Sequence, residues 1–356
     1  MSVTPALLSD IDPECFAHPH DLKASRALRE VPFLHKLLEE VGRLHFEKKW
    51  TAHHMRSSIR LGPRQLPTLW RLVNEVTERF EMRLPQVYVS ADGGTNAFAF
   101  GMHDHSIVLT TSLVDLMDER ELKAILGHEI GHILCRHMLY RGVGMALAHG
   151  AVMTNMVARL MPLKALQVPL DALFLAWNRA AEYTADRAAV LVLDDPEALV
   201  SCLSKLAGVP RRFLTEFDPH AFADQATELN EQADLWSRIA AWDMTVFRTH
   251  PEPTQRALAV LEWYDSDHHR AICAGQYPRL VESEYRRGFD IQGVESCRRC
   301  HRPIGSLAAC PYDDCGLERD PSLHTECPAG HLVSRTWSFC RTCGAEVPSS
   351  PPAAAQ

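Results

Sequence analysis

With 356 residues the chain has room for one large domain and a smaller one, and a 46% hydrophobic fraction is enough for a real core. A net charge of −8 excludes a general affinity for nucleic acid or for anionic membrane surfaces. Met1–Cys15 has no basic start, and its apolar patch runs into Asp10, Asp12 and Glu14, so no signal peptide is expected and the 11 cysteines are expected in a reducing, cytoplasmic setting.

Residues 1–60 read as a helical segment flanking the main domain. Leu37, Leu38, Val41 and Leu44 fall on one side of a helix over Leu34–Trp50. Cys15, His18 and His20 lie close together ahead of it and offer a minor candidate for capping a metal from its open side. Arg64–Met82 repeats the helical period through Leu69, Leu72, Val73, Val76 and Phe80. The period then changes to two. Gln86–Ser90, Thr95–Phe100 and Ser106–Thr111 are short runs separated by Asp92-Gly93-Gly94 and by Gly101–His105, which predicts a small antiparallel sheet, with His103 and His105 in a turn.

Directly after these strands, Asp118 and Glu121 have the spacing of a capping box, and Leu122, Ile125, Leu126, Ile130, Ile133 and Leu134 recur at helical spacing. This predicted helix carries His128-Glu129-Ile130-Gly131-His132. Residues four apart share a helix face, so His128 and His132 can present two imidazole nitrogens to one metal ion, with Glu129 beside it. Such an ion needs a third ligand and keeps a fourth position for water, whose pKa falls to about 7. The pattern alone is loose; its place inside a capped, buried helix gives it weight.

Val143–Ala158 is apolar but contains His149 and Asn155, ends before Arg159, and is shorter than the roughly 20 residues of a membrane span. It reads as a buried helical hairpin ahead of a membrane-touching one. Trp177–Leu193 is helical again and carries Glu182 and Asp186 on one face. Two carboxylates on an apolar helix are costly to bury uncompensated. A divalent cation compensates them if Glu182 is the third ligand and Asp186 orients a ligating histidine; the competing reading is a solvated face with Arg179 and Arg187.

HEIGH (His128–His132), NRAAEYTAD (Asn178–Asp186), TNAFAFG (Thr95–Gly101) and THPEPTQR (Thr249–Arg256), in that spacing, resemble the HtpX-like zinc metallopeptidases, the family that also holds the CAAX prenyl endopeptidases. The resemblance covers Arg64–Tyr264. It implies an α+β, mainly helical gluzincin-type fold and endopeptidase activity on protein or peptide substrates. It also implies a cleft-bordering strand, Asn96, Ala97, Phe98 and Ala99, to which an extended substrate adds as a further strand. His250 then stabilises the oxyanion, and Arg256 braces that segment. Membrane members of the family have clear hydrophobic spans around HExxH, and this sequence departs from them there.

From Gly293 the composition shifts to Cys, Arg and turn residues. Cys297, Cys300, Cys310 and Cys315 form one candidate set, and Cys327, His331, Cys340 and Cys343 a second, as in two zinc ribbons. Four ligands each leave no open position, so these sites read as structural, giving an expected total of one catalytic and two structural zinc ions. Charge in this module is balanced, so a protein partner is expected there and nucleic acid is not. The expected organisation is a helical segment 1–60, a peptidase domain 61–290, a double ribbon 293–346 and a disordered tail 347–356. The rival reading is a catalytically inactive peptidase-like scaffold acting through its ribbons; the presence of Glu129 argues against it.

Overall fold

The computed structural model describes residues 7–29, 46–91, 94–101, 104–138, 140, 167–232, 252–279, 324–330, 332–335 and 345–347. The chain divides into two compact units, Met1–Val281 and Glu282–Gln356. The first unit begins with a 3-10 turn at Pro13–Cys15, α1 (Pro19–Arg29), α2 (Phe46–Ser57), β1 (Ile59–Arg60) and α3 (Pro67–Arg79). Strands β2 (Gln86–Ser90), β3 (Ala97–Phe100) and β4 (Ser106–Thr110) come next, followed by α4 (Thr111–Leu116) and α5 (Glu119–Leu134). It continues with α6 (Gln167–Leu193), α7 (Pro196–Ala207), a 3-10 stretch at Arg211–Glu216, α8 (Pro219–Gln232), α9 (Pro253–Tyr264) and α10 (Asp267–Cys273). In the second unit, β5 (His324–Glu326) and β6 (Leu332–Ser334) form an antiparallel hairpin, and Cys327, Val333 and Val347 are buried together.

The sheet is mixed, which corrects the expected antiparallel arrangement. Its order is β1-β2-β4-β3: β4 lies between β2 and β3, runs parallel to β2 and antiparallel to β3. The physical reason is burial. Every residue of β4 is buried and so are four of the five in β2, so both take central places, while half-buried β3 and exposed β1 take the edges among the described strands. The pleat then sorts the faces. Val87, Val89, Ala99, Ile107 and Leu109 join the main core with α3 and α5, whereas Phe98 and Phe100 on the other face meet the rings of Trp50 and His54 from α2.

Helix α5 starts where the sequence predicts. The Asp118 side chain accepts from the Glu121 N–H at 2.9 Å, and the Glu121 carboxylate accepts from the Asp118 N–H at 2.8 Å. Glu121 also ties the cap to α7, through Ser201 Oγ and Lys205 Nζ, each at 2.6 Å. Against α6 the helix packs at close range. A Cβ on Gly127 would lie 2.8 Å from Val192 Cγ2, and one on Gly131 would lie 2.6 Å from Ala188 Cβ and 3.0 Å from Ala185 Cα. Gly131→Ala is therefore expected to destabilise the protein. Overpacking of about 1–3 kcal/mol exceeds the roughly 1 kcal/mol that alanine adds as a helix former. Urea unfolding checks this; a gain in stability would mean that the helices part at no cost.

The leader is part of the same core. Leu8, Ile11 and Phe16 are buried in it, and Arg187 of α6 donates to the carbonyls of Phe16 and Ala17 at 3.3 and 3.1 Å. The leader also meets the far end of the unit, with Asp12 N–H donating to Pro278 O at 3.0 Å and Ile11 bridged to Arg279. Among the described residues no helix is long and apolar enough to cross a membrane. Residues 34–45 and Val143–Ala158 lie outside the described residues.

Candidate metal centre

Helices α5 and α6 bring His128, His132 and Glu182 together. His128 Nε2 and His132 Nε2 are 3.2 Å apart, and the Glu182 carboxylate lies 3.4 Å from the first and 3.3 Å from the second. Ligands about 2.0–2.1 Å from a tetrahedral ion stand about 3.3 Å from one another, so this buried triangle fits one divalent cation. The small residues at the α5–α6 contact make the fit possible, because they let the two helices approach until a carboxylate on one reaches imidazoles on the other.

Each histidine is oriented from behind. His128 Nδ1 donates to Asp186 Oδ1 at 2.9 Å, which turns Nε2 toward the triangle. Asp186 is clasped by Arg256 of α9, with Nε to Oδ2 at 2.7 Å and Nη2 to Oδ1 at 2.5 Å. Arg256 also reaches Glu182 Oε2 at 3.3 Å. Burial works to lower the His128 pKa, but Asp186 and Glu182 outweigh it and push it up to about 9. Burial would likewise raise Asp186, yet Arg256 and His128 hold its carboxyl below the usual range. The pocket thus favours positive charge at the point where the triangle converges.

His132 has a second chain of partners that the sequence did not disclose. Its Nδ1 lies 2.8 Å from His137 Nδ1, and His137 Nε2 lies 3.0 Å from Asp21 Oδ2 of α1. A carboxylate only accepts, so His137 carries its proton on Nε2, and its Nδ1 accepts from His132. That fixes the His132 tautomer with Nε2 free for the triangle. Thr184 donates to Asp21 at 2.7 Å and Ser25 at 2.9 Å. Burial opposes the Asp21 charge, but His137, Thr184 and Ser25 keep its pKa below the ordinary value. The left-handed turn at Arg136, φ 55°, lies between the end of α5 and His137. A histidine five places after His132, where no helix face repeats, was the one local clue.

Glu129 is buried on α5, 4% exposed, next to His128. Asn96 stands just before β3, where its carbonyl accepts from Thr110 N–H at 3.0 Å; Ala97, Phe98 and Ala99 lie on that strand at the end of the sheet order. His18 packs on Tyr183, and among the described residues Cys15, His18 and His20 do not join the triangle. His250, Cys297, Cys300, Cys310, Cys315, His331, Cys340 and Cys343 lie outside the described residues. Cys327 is buried beside the β5–β6 turn, in which Gly330 N–H donates to Cys327 O at 2.8 Å.

Residues 63–264 match the model of Peptidase family M48. The chain belongs to that family. It is also similar to the plastoglobule-localized metallopeptidase 48, chloroplastic, of Arabidopsis thaliana, 30% identical over 281 residues that span 76% of this chain and 78% of the relative. A protease HtpX homolog of Polynucleobacter necessarius is 26% identical over 256 residues, 65% of this chain and 86% of its own length. One from Kineococcus radiotolerans is 34% identical over 165 residues, 39% and 55% of the two chains. This M48 member is a metalloprotease, a hydrolase of peptide bonds, and the matched residues 63–264 include the triangle, Asp186, Arg256 and β3.

Proposed function

We propose that this M48 peptidase is a zinc-dependent endopeptidase whose catalytic zinc is held by His128, His132 and Glu182. The observation that carries the reading is the buried triangle of two imidazole nitrogens and one carboxylate oxygen, with edges of 3.2 to 3.4 Å. Two nitrogens and one oxygen from protein are the donor set of a catalytic zinc, with one position left for water or substrate. When bound, zinc supplies Lewis-acid polarisation of the scissile carbonyl and lowers the pKa of the attacking water. Glu129 takes that water's proton and passes it to the leaving amine. Asp186, held by Arg256, and His137, held by Asp21, keep the two imidazoles in the ligating tautomer. The edge position of β3 supports main-chain pairing of an extended substrate along Asn96–Ala99. The oxyanion role of His250 rests on the resemblance of the Thr249–Arg256 motif.

The decisive experiment is hydrolysis of an unstructured protein by full-length enzyme, with chelator and then zinc restored. Activity lost with the chelator and regained with zinc is expected; cleavage indifferent to both would end the zinc reading. Asp21→Asn is expected to weaken zinc binding about 10- to 100-fold, the usual cost of losing a group that orients a ligating histidine. Competition against a coloured chelator measures this, and unchanged affinity would reduce Asp21 to a packing contact between α1 and α6.

The tail is read as two structural zinc ribbons, with Cys327, His331, Cys340 and Cys343 in one and Cys297, Cys300, Cys310 and Cys315 in the other. The burial of Cys327 beside a tight hairpin turn supports the first of these. Capture of a protein partner through the ribbons and a cytoplasmic location complete the proposal; they rest on the charge balance and cysteine usage of the sequence.

A further inference from the structure

A second cluster of metal-ligating side chains lies at the other end of α6. His269 and Cys273 are four apart on α10, the same helical spacing as His128 and His132, and Asp194 stands in the turn between α6 and α7. Cys273 Sγ and His269 Nε2 are 3.4 Å apart, His269 Nε2 and Asp194 Oδ1 3.4 Å, and Cys273 Sγ and Asp194 Oδ1 3.8 Å. Around a tetrahedral zinc ion with bonds of about 2.3 Å to sulfur and 2.0–2.1 Å to nitrogen and oxygen, the corresponding edges are about 3.3 to 3.6 Å.

Nucleophilic catalysis by Cys273 fits the arrangement poorly. In a Cys-His-Asp relay the thiol and the carboxylate face opposite nitrogens of the imidazole. Here both face Nε2, so the three groups converge on a point. His269 is itself buried, 3% exposed, so its ring is held by packing and not free in solvent. Its ring is wedged against Trp263 and Tyr264, and Tyr264 Oη donates to the Asp194 carbonyl at 3.4 Å, so the position of the turn relative to α10 is set. Asp194 adopts a left-handed φ of 52° just past the last residue of α6.

We propose that Asp194, His269 and Cys273 form a second metal site in this unit, taking a borderline-soft divalent cation, zinc in the first place, with water in the fourth position. A carboxylate and a thiolate carry the two negative charges that such a cation neutralises, and binding releases the thiol proton to solvent. The Asp194 side chain is 48% exposed, so the ion reaches the site from solvent without unfolding the core. The site clasps α10 to the end of the helix that carries Glu182 and Asp186, and it is separate from the centre proposed above.

The test is zinc content of the full-length protein, saturated with zinc and then desalted. Cys273→Ala and His269→Gln are each expected to hold one zinc per chain fewer than the wild type, while retaining zinc-dependent peptide cleavage. Combining Cys273→Ala with Glu182→Gln should remove two, so loss at one centre is not mistaken for loss at the other. Equal zinc content in the wild type and both single variants would overturn the site. Should either variant fold poorly, cadmium-113 resonance of the loaded wild type decides. A signal in the range of a single sulfur ligand supports the site, and its absence refutes it.

Discussion

Glu129→Gln is expected to leave a folded protein that holds its metal and barely cleaves peptide bonds. Glutamine has the shape of glutamate but cannot take the proton of the attacking water, and general base catalysis contributes about 100- to 10,000-fold in rate. The loss should fall in kcat with little change in KM, because the proton moves only in the transition state. The metal should stay, since His128, His132 and Glu182 are untouched and meet one another from two separately packed helices. Steady-state kinetics on a quenched fluorescent peptide, with zinc measured on the same sample, read both quantities. A variant that keeps its kcat would mean that another group takes the proton.

Arg256→Ala should be the most damaging single change to stability. Arg256 is 7% exposed, and its guanidinium holds Asp186 with two hydrogen bonds and reaches Glu182, so its removal strands buried negative charge. Breaking a buried pair by deleting one partner costs about 3–5 kcal/mol. The sign of a zinc effect follows from the same arrangement. A cation bound at Glu182 replaces part of the missing positive charge, so the deficit should be full with chelator present and smaller at saturating zinc. Arg256→Lys should fall between, keeping the charge but not the two-pronged geometry. Urea unfolding of the three proteins with and without zinc tests the series; a deficit under 1 kcal/mol in chelator would show that Asp186 finds another partner.

The parts of this molecule that were legible in the sequence are those encoded locally. The start of α5 is written in Asp118 and Glu121, three residues apart, and its buried face in the spacing of Leu122, Ile125, Leu126 and Ile130. Glu182 and Asp186 drew notice because two carboxylates on an apolar face demand compensation, and the structure places both at the triangle. Strand order was not legible: alternation tells which face of a strand is buried, but the antiparallel reading took strands in sequence order, and β4 came to lie between β2 and β3. Asp21 was invisible for another reason. It meets His137 across a separation of 116 residues, and nothing near either one announces the pair. Arg256 was noticed only through a family motif, as a brace for its segment behind the candidate ligands, and that its guanidinium lies on Asp186 and Glu182 was not legible in the sequence.

The way the leader is tied in sets the order in which this enzyme can be completed as it is made. Residues 8–21 leave the ribosome before the elements they pack on, since their partners are Arg187 on α6 and Pro278 and Arg279 at the end of the unit. Contacts between such distant parts form late in folding, because a long loop must close before they return anything. Asp21 therefore cannot settle behind His132 until α6 has been synthesised, and the leader is not locked until Arg279 has emerged. The support behind His132 is thus completed only after both α5 and α6 exist, because its last carboxylate comes from α1 and is held by Thr184.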